Sequence, residues 1–158
     1  MKIELEYTDE EFKKFVDEVC GHLGCEVEAK KSDRNRAKAG RIQWLGAPAG
    51  LEAPAFQEIL QMIKENKGKN ANCKARVFVF VTPTCPYCPS MAKLAALYGI
   101  GTEGMEVNIV NAMEEPQLAD LYQVSAVPKT VIEGQTKQEI LGLVPARIFE
   151  QYLKKACP

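Results

Sequence analysis

The sequence predicts an α/β protein of two units, a shortened βαββα unit over residues 1–68 and a βαβαββα unit over residues 69–158. Three observations lead there. The run Val77-Phe78-Val79-Phe80-Val81 is apolar without interruption, as in a strand buried on both faces of a sheet. Segments with apolar residues at helical spacing alternate with short strand-like runs, the pattern of parallel strands joined by right-handed crossovers. Near the end, Val131-Ile132 and Ile140-Leu141 flank the tight turn Glu133-Gly134-Gln135, and strands linked so closely can only form a hairpin.

Composition bounds the function. The 158 residues are 46% hydrophobic and 26% charged with a net charge of −1, which describes a soluble globular chain without the basic excess of a nucleic-acid binder. No apolar run approaches the ~20 residues of a membrane span, so no membrane partner is expected. Met1-Lys2-Ile3-Glu4-Leu5-Glu6-Tyr7 alternates charge with hydrophobe and lacks the apolar core of a secretory signal, so a cytoplasmic location is expected. Six cysteines are many for a reducing compartment; they point to redox chemistry, a metal, or an organism of the disulfide-rich hyperthermophile type.

In the first unit, Ile3, Leu5 and Tyr7 share one strand face. Thr8 and Glu11 fit a capping box ahead of a helix carrying Phe12, Phe15, Val16, Val19 and Leu23. Residues 26–30 form a second strand. Residues 30–41 hold six basic side chains against Asp33 alone, a solvated hairpin loop or else a surface for an anionic partner. Residues 41–45 form a third strand, and Pro54 sits near the first turn of a helix with Phe56, Ile59, Leu60 and Ile63 inward. Residues 67–72, polar apart from Ala71, mark the boundary.

In the second unit, a helix runs from Cys85 to Leu97, and residues 105–110 form the next strand. Pro116 opens a short helix with Leu118, Leu121 and Tyr122. Residues 127–132 and the segment around Ile140 and Leu141 are the hairpin, and Pro145 starts the last helix, packed through Ile148, Phe149, Tyr152 and Leu153.

Chemistry concentrates at Cys85-Pro86-Tyr87-Cys88. A C-x-x-C pair straight after a buried strand sits at a helix start, where free amides and the positive dipole end lower a thiol pKa from ~8.5 to between ~3.5 and ~7.5. Cys85 is the expected exposed nucleophile and Cys88 the buried resolving thiol, with thiol–disulfide exchange as the reaction. Pro86 fits the first helical turn. The same spacing is half a zinc site, or an inert disulfide. Val127-Pro128 opens a strand where an X-Pro bond can be cis, which would turn the Val127 backbone toward an incoming peptide.

The segment 79–89, with Ala126-Val127-Pro128-Lys129 downstream, resembles the C-terminal unit of the protein disulfide oxidoreductases of thermophilic archaea and bacteria, two-unit glutaredoxin-like proteins of the thioredoxin superfamily. Residues 44–50 and the helix with Phe56 resemble the end of that family's N-terminal unit. The resemblance implies a thioredoxin fold preceded by a truncated thioredoxin-like unit. It implies one active site at Cys85 and Cys88, with Pro86, Tyr87, Val127 and Pro128 contacting substrate. It further implies protein disulfide substrates, a thioredoxin-reductase-like or glutathione-like electron donor, a role in cell redox homeostasis, and no cofactor beyond the redox-active Cys85–Cys88 disulfide. The N-terminal unit of that family usually has its own C-x-x-C and proline-led strand, which residues 1–40 lack.

Cys20 and Cys25 flank a helix-to-strand transition within reach of a bridge; a structural disulfide, two free thiols, a second redox pair or a metal site with His22 all fit. Cys73 falls in the boundary segment, and Cys157, next to last, is expected as a free or intermolecular thiol. Sheet edges exposed by an incomplete half would admit a homodimer. The strand before Cys85 contains no acid, so the proton acceptor for Cys88 is another carboxylate or water. A glutaredoxin-like iron–sulfur or zinc protein and a non-catalytic thioredoxin-fold adaptor are the alternatives to an enzyme.

Overall fold

The computed structural model describes residues 1–158. The first unit comprises β1 (Lys2–Tyr7), α1 (Glu10–Leu23), β2 (Glu26–Lys31), β3 (Arg36–Ala39), β4 (Ile42–Leu45) and α2 (Glu52–Lys64). The second comprises β5 (Ala75–Val81), α3 (Cys88–Gly101), β6 (Met105–Asn111), α4 (Pro116–Leu121), β7 (Lys129–Glu133), β8 (Lys137–Leu141) and α5 (Ala146–Ala156). All eight strands join one sheet in the order β2-β1-β3-β4-β6-β5-β7-β8.

Each unit repeats one topology. In the first, β1 pairs parallel with β2 and antiparallel with β3, which pairs antiparallel with β4; β5, β6, β7 and β8 repeat this pattern in the second. The first unit therefore has four strands where three were expected, and lacks only the helix corresponding to α4. The missed strand is β3, hidden in the basic run. Its Arg36 and Lys38 point to one face while Ala37 and Ala39 are fully buried on the other, and alanine gives a weak apolar signal.

The missing helix explains the charges. Without it, one face of the first unit's sheet is open to water, and that face carries paired polar groups. Lys2 bonds Glu28, Glu6 bonds Arg36, Arg36 donates to Gln43 Oε1, and Gln43 donates to Asn108 Oδ1 on β6. Lys31 and Arg34 also have acidic partners, Glu10 and Glu115, and Arg41 donates to the last carbonyls of α3. Four of the six basic side chains of this run, Lys31, Arg34, Arg36 and Arg41, thus have partners within the fold.

On the opposite face one apolar cluster runs from Ile3, Phe12 and Trp44 through Phe56 to Met91, Phe149 and Leu153, so the two units share a core. Trp44 packs edge-on to Phe56 with ring centroids 4.6 Å apart, where such a pair contributes ~0.5 to 1.5 kcal/mol beyond its area burial. A smaller cluster of Leu45, Phe78, Phe80, Val110, Ala119 and Val131 lies under α4. No helix is long and apolar enough to cross a membrane.

Two local expectations, the cap of α1 and the state of Cys157, need correction. Asp9, not Thr8, caps α1, accepting from the Glu11 amide at 2.9 Å, while the Thr8 amide bonds Asn35 Oδ1 where a capping box would have it bond Glu11. The segment between the units packs on the second: the Lys69 amide bonds Leu97 O, and Gly68 lies so close to Gly101 that a Cβ would come within 2.3 Å of its backbone nitrogen. Cys157 is neither free nor frayed; it forms a disulfide with buried Cys73, and Ala156 O accepts from the Gln135 and Thr136 amides. Cys20 and Cys25 form the second disulfide.

Candidate active site at the carboxyl edge of the sheet

The pairing directions make β1, β4, β5 and β6 run the same way, so their carboxyl ends share one edge. β7 runs oppositely and begins there. Its register ends with Phe80 opposite Lys129, so Val127 and Pro128 lie just beyond the paired residues at the end of β5 that leads to Cys85, and Val127 packs against the apolar cluster that includes Cys85 and Cys88. Carboxyl ends of parallel strands are where open α/β sheets bind ligands.

Cys85 and Cys88 are joined as a disulfide with Cα atoms 5.4 Å apart. Helix α3 begins at Cys88 rather than at Cys85, and Pro86 lies in the preceding turn. Cys85 still lies at the positive end of α3, where a thiolate is favoured. It is less open than expected: Cys85 is 9% exposed and Cys88 0%, while Tyr87 is 63% exposed and Pro86 is exposed beside it. The Val127–Pro128 bond is cis, as the sequence led us to expect.

The first unit reaches into this site. The Leu51 amide donates to Pro83 O at 2.9 Å, and a Cβ on Gly50 would meet that same oxygen at 2.5 Å, so only glycine allows the approach. One residue on, Glu52 opens α2 against α3. It is 3% exposed, its Oε2 has no hydrogen-bond partner, and burial pushes its carboxyl up to about 7 against the opposing pull of Lys93 on α3. Nothing local in the residue pattern signals this, because an acid in a first helical turn is ordinary dipole chemistry.

The corresponding place in the first unit is closed. Gly46 donates to Asn35 O as Gly142 donates to Pro128 O, each at 2.8 Å and each glycine at positive φ, so Asn35 stands where Pro128 stands in the second unit. The turn that would carry a C-x-x-C is reduced to Thr8-Asp9, whose amides bond Asn35 Oδ1 at 3.0 and 3.3 Å. Asn35 Nδ2 donates to Glu114, which also accepts from the Ala47 amide. A side-chain network thus fills the space a second dithiol would need.

Comparison with known proteins fits these observations. Residues 75–151 match the family described as thioredoxin domain. The thioredoxin of Methanocaldococcus jannaschii is 31% identical over 83 residues, 52% of this chain and 95% of that protein. The chain belongs to the thioredoxin family. It is a thiol–disulfide oxidoreductase of that superfamily, with its C-x-x-C pair at Cys85 and Cys88. Similarity over both units is one of fold. An alkylhydroperoxide reductase from Enterococcus faecalis superposes with a TM-score of 0.76 at 18% identity over 96% of this chain and 90% of that one. A protein disulfide oxidoreductase from Aeropyrum pernix gives 0.72 at 20% identity over 98% and 84%. A thioredoxin fold preceded by a thioredoxin-like unit is therefore the architecture.

Proposed function

We propose that the protein reduces or exchanges disulfides in other proteins through a Cys85–Cys88 dithiol, in a single active site. The observation that carries this reading is the paired cysteines at the start of α3, one just accessible and one fully buried, at the sheet edge where the cis Val127–Pro128 bond leads into β7. A protein partner is supported by the rim: Leu51, Tyr87, Met113, Leu141 and Leu143 are exposed, and all lie in the loops or strand ends of this edge. Such exposed apolar surface favours a macromolecular partner over a small polar one.

In the reductive direction, the Cys85 thiolate attacks one substrate sulfur, a mixed disulfide forms, and the other substrate sulfur leaves as a thiolate. Cys88 then loses its proton and attacks Cys85 Sγ, releasing the second substrate sulfur and leaving the Cys85–Cys88 disulfide, the pair having given up two electrons. Glu52 is the proton acceptor we assign to this step, being the buried, unpartnered carboxyl beside the Pro83 turn. The tyrosine and proline of the motif, with the Val127 backbone, would contact the substrate. A dithiol donor of the thioredoxin-reductase class, or a thiol of the glutathione class, would restore the reduced form.

Cys88→Ser tests the reading. With the resolving thiol gone, reduced protein should hold a protein disulfide substrate such as insulin as a covalent adduct through Cys85, visible as a mass shift reversed by dithiothreitol. No adduct at Cys85, or an adduct forming equally at Cys20 or Cys73, would remove the assignment.

A further inference from the structure

We propose that Lys129 is the positioning residue that holds the substrate-contacting segment in place. This rests on the protein-substrate reading above. Lys129 follows Pro128 and is 7% exposed, an unusual degree of burial for an ammonium. Its Nζ donates to Tyr122 O at 2.8 Å and Gln123 O at 3.4 Å, and pairs with Glu139 of β8 at 3.3 Å.

The placement matters because residues 122–127 form the only covalent link from α4 to Val127. Gln123 has a positive φ of 54°, just past the Tyr122 cap of α4, and the carbonyls of these two residues that follow the helix are the ones that accept from Lys129. A buried ammonium meets those carbonyls as a cation at a helix carboxyl end. The same stretch is pinned a second time, where Tyr122 donates its hydroxyl to Glu133 at 3.0 Å while its ring packs on Phe78 and Phe80. The two anchors lie at opposite ends of β7, one at Lys129 and one at Glu133. Only Lys129 is adjacent to the segment beside Cys85, so its loss would free Val127 while leaving the aromatic contact made.

A residue that only braced the fold would change stability and leave substrate affinity alone. Lys129 is expected to change affinity. In insulin reduction, Lys129→Met should raise KM roughly tenfold with kcat within about twofold, since loosened positioning weakens binding before it touches the sulfur chemistry. Lys129→Arg, which keeps a charged donor, should restore KM to within about threefold. If Lys129→Met does not fold, Lys129→Gln, with a neutral N–H donor retained, supplies the same KM comparison. A KM unchanged in the methionine or glutamine variant, or a fall confined to kcat, overturns the proposal. Wild-type protein that reduces a small disulfide but not insulin would overturn the protein-substrate reading, and this proposal with it.

Discussion

Converting Cys73 and Cys157 together to alanine should destabilise the protein more than any other paired cysteine replacement in the chain. The two residues are 84 apart in sequence and enclose the whole second unit, from the start of β5 to the end of α5. In the chain-entropy account, a closure of that length removes about 4.6 kcal/mol of unfolded-state freedom, whereas Cys20–Cys25, separated by 5, removes about 2 kcal/mol. For a chain of this size, the larger figure corresponds to roughly 10 to 18 °C in the unfolding midpoint. Thermal unfolding of the two double-alanine variants beside wild type checks the order. Equal shifts, or a larger one for the Cys20 and Cys25 pair, would mean that the second unit is held by its core rather than by this staple.

Glu52→Gln should move stability and activity in opposite directions. The carboxyl of Glu52 has its pKa raised to about 7 by burial, so the folded protein favours the protonated form. Its burial carries no ionisation penalty below the ordinary carboxylate value of 4.5. The penalty grows as pH rises from 4.5 toward 7 and is complete above that, at most about 3 kcal/mol. Glutamine cannot ionise, so the variant should be more stable than wild type at pH 8 and gain little at pH 4. Meanwhile the Cys88 step loses its proton acceptor, and resolution of the mixed disulfide should slow about 100-fold, with the rise in rate through pH 7 removed. Denaturant unfolding at the two pH values and single-turnover release of substrate would show both. A variant that is less stable at pH 8, or that keeps the pH dependence, would place the proton elsewhere.

The carboxyl edge shows what the sequence made legible and what it did not. The apolar run of β5, the C-x-x-C after it and Val127-Pro128 are local signals, and each sits where local chemistry put it. Asn35 and Glu52 are different. Asn35 is a polar residue inside a basic run, and its role exists only because Thr8 and Asp9, 27 and 26 residues away, turn their amides to it. Glu52 reads as a normal first-turn acid until Gly50 brings its loop onto Pro83. Cys73 and Cys157 likewise carried no sign of each other, since a pairing across 84 residues depends on where α5 ends. Strand β3 was missed because alanine at its two buried positions leaves little periodicity to read.

The most direct measurement is a redox equilibration of all three disulfides at once, in glutathione and dithiothreitol buffers, with thiols trapped and located by mass spectrometry. For a working exchange couple, the Cys85–Cys88 peptide should pass through one two-electron transition between about −200 and −270 mV while Cys20–Cys25 and Cys73–Cys157 stay oxidised. A Cys85–Cys88 pair that remains oxidised well below about −300 mV, with another pair titrating in its place, would contradict the assignment of the active site.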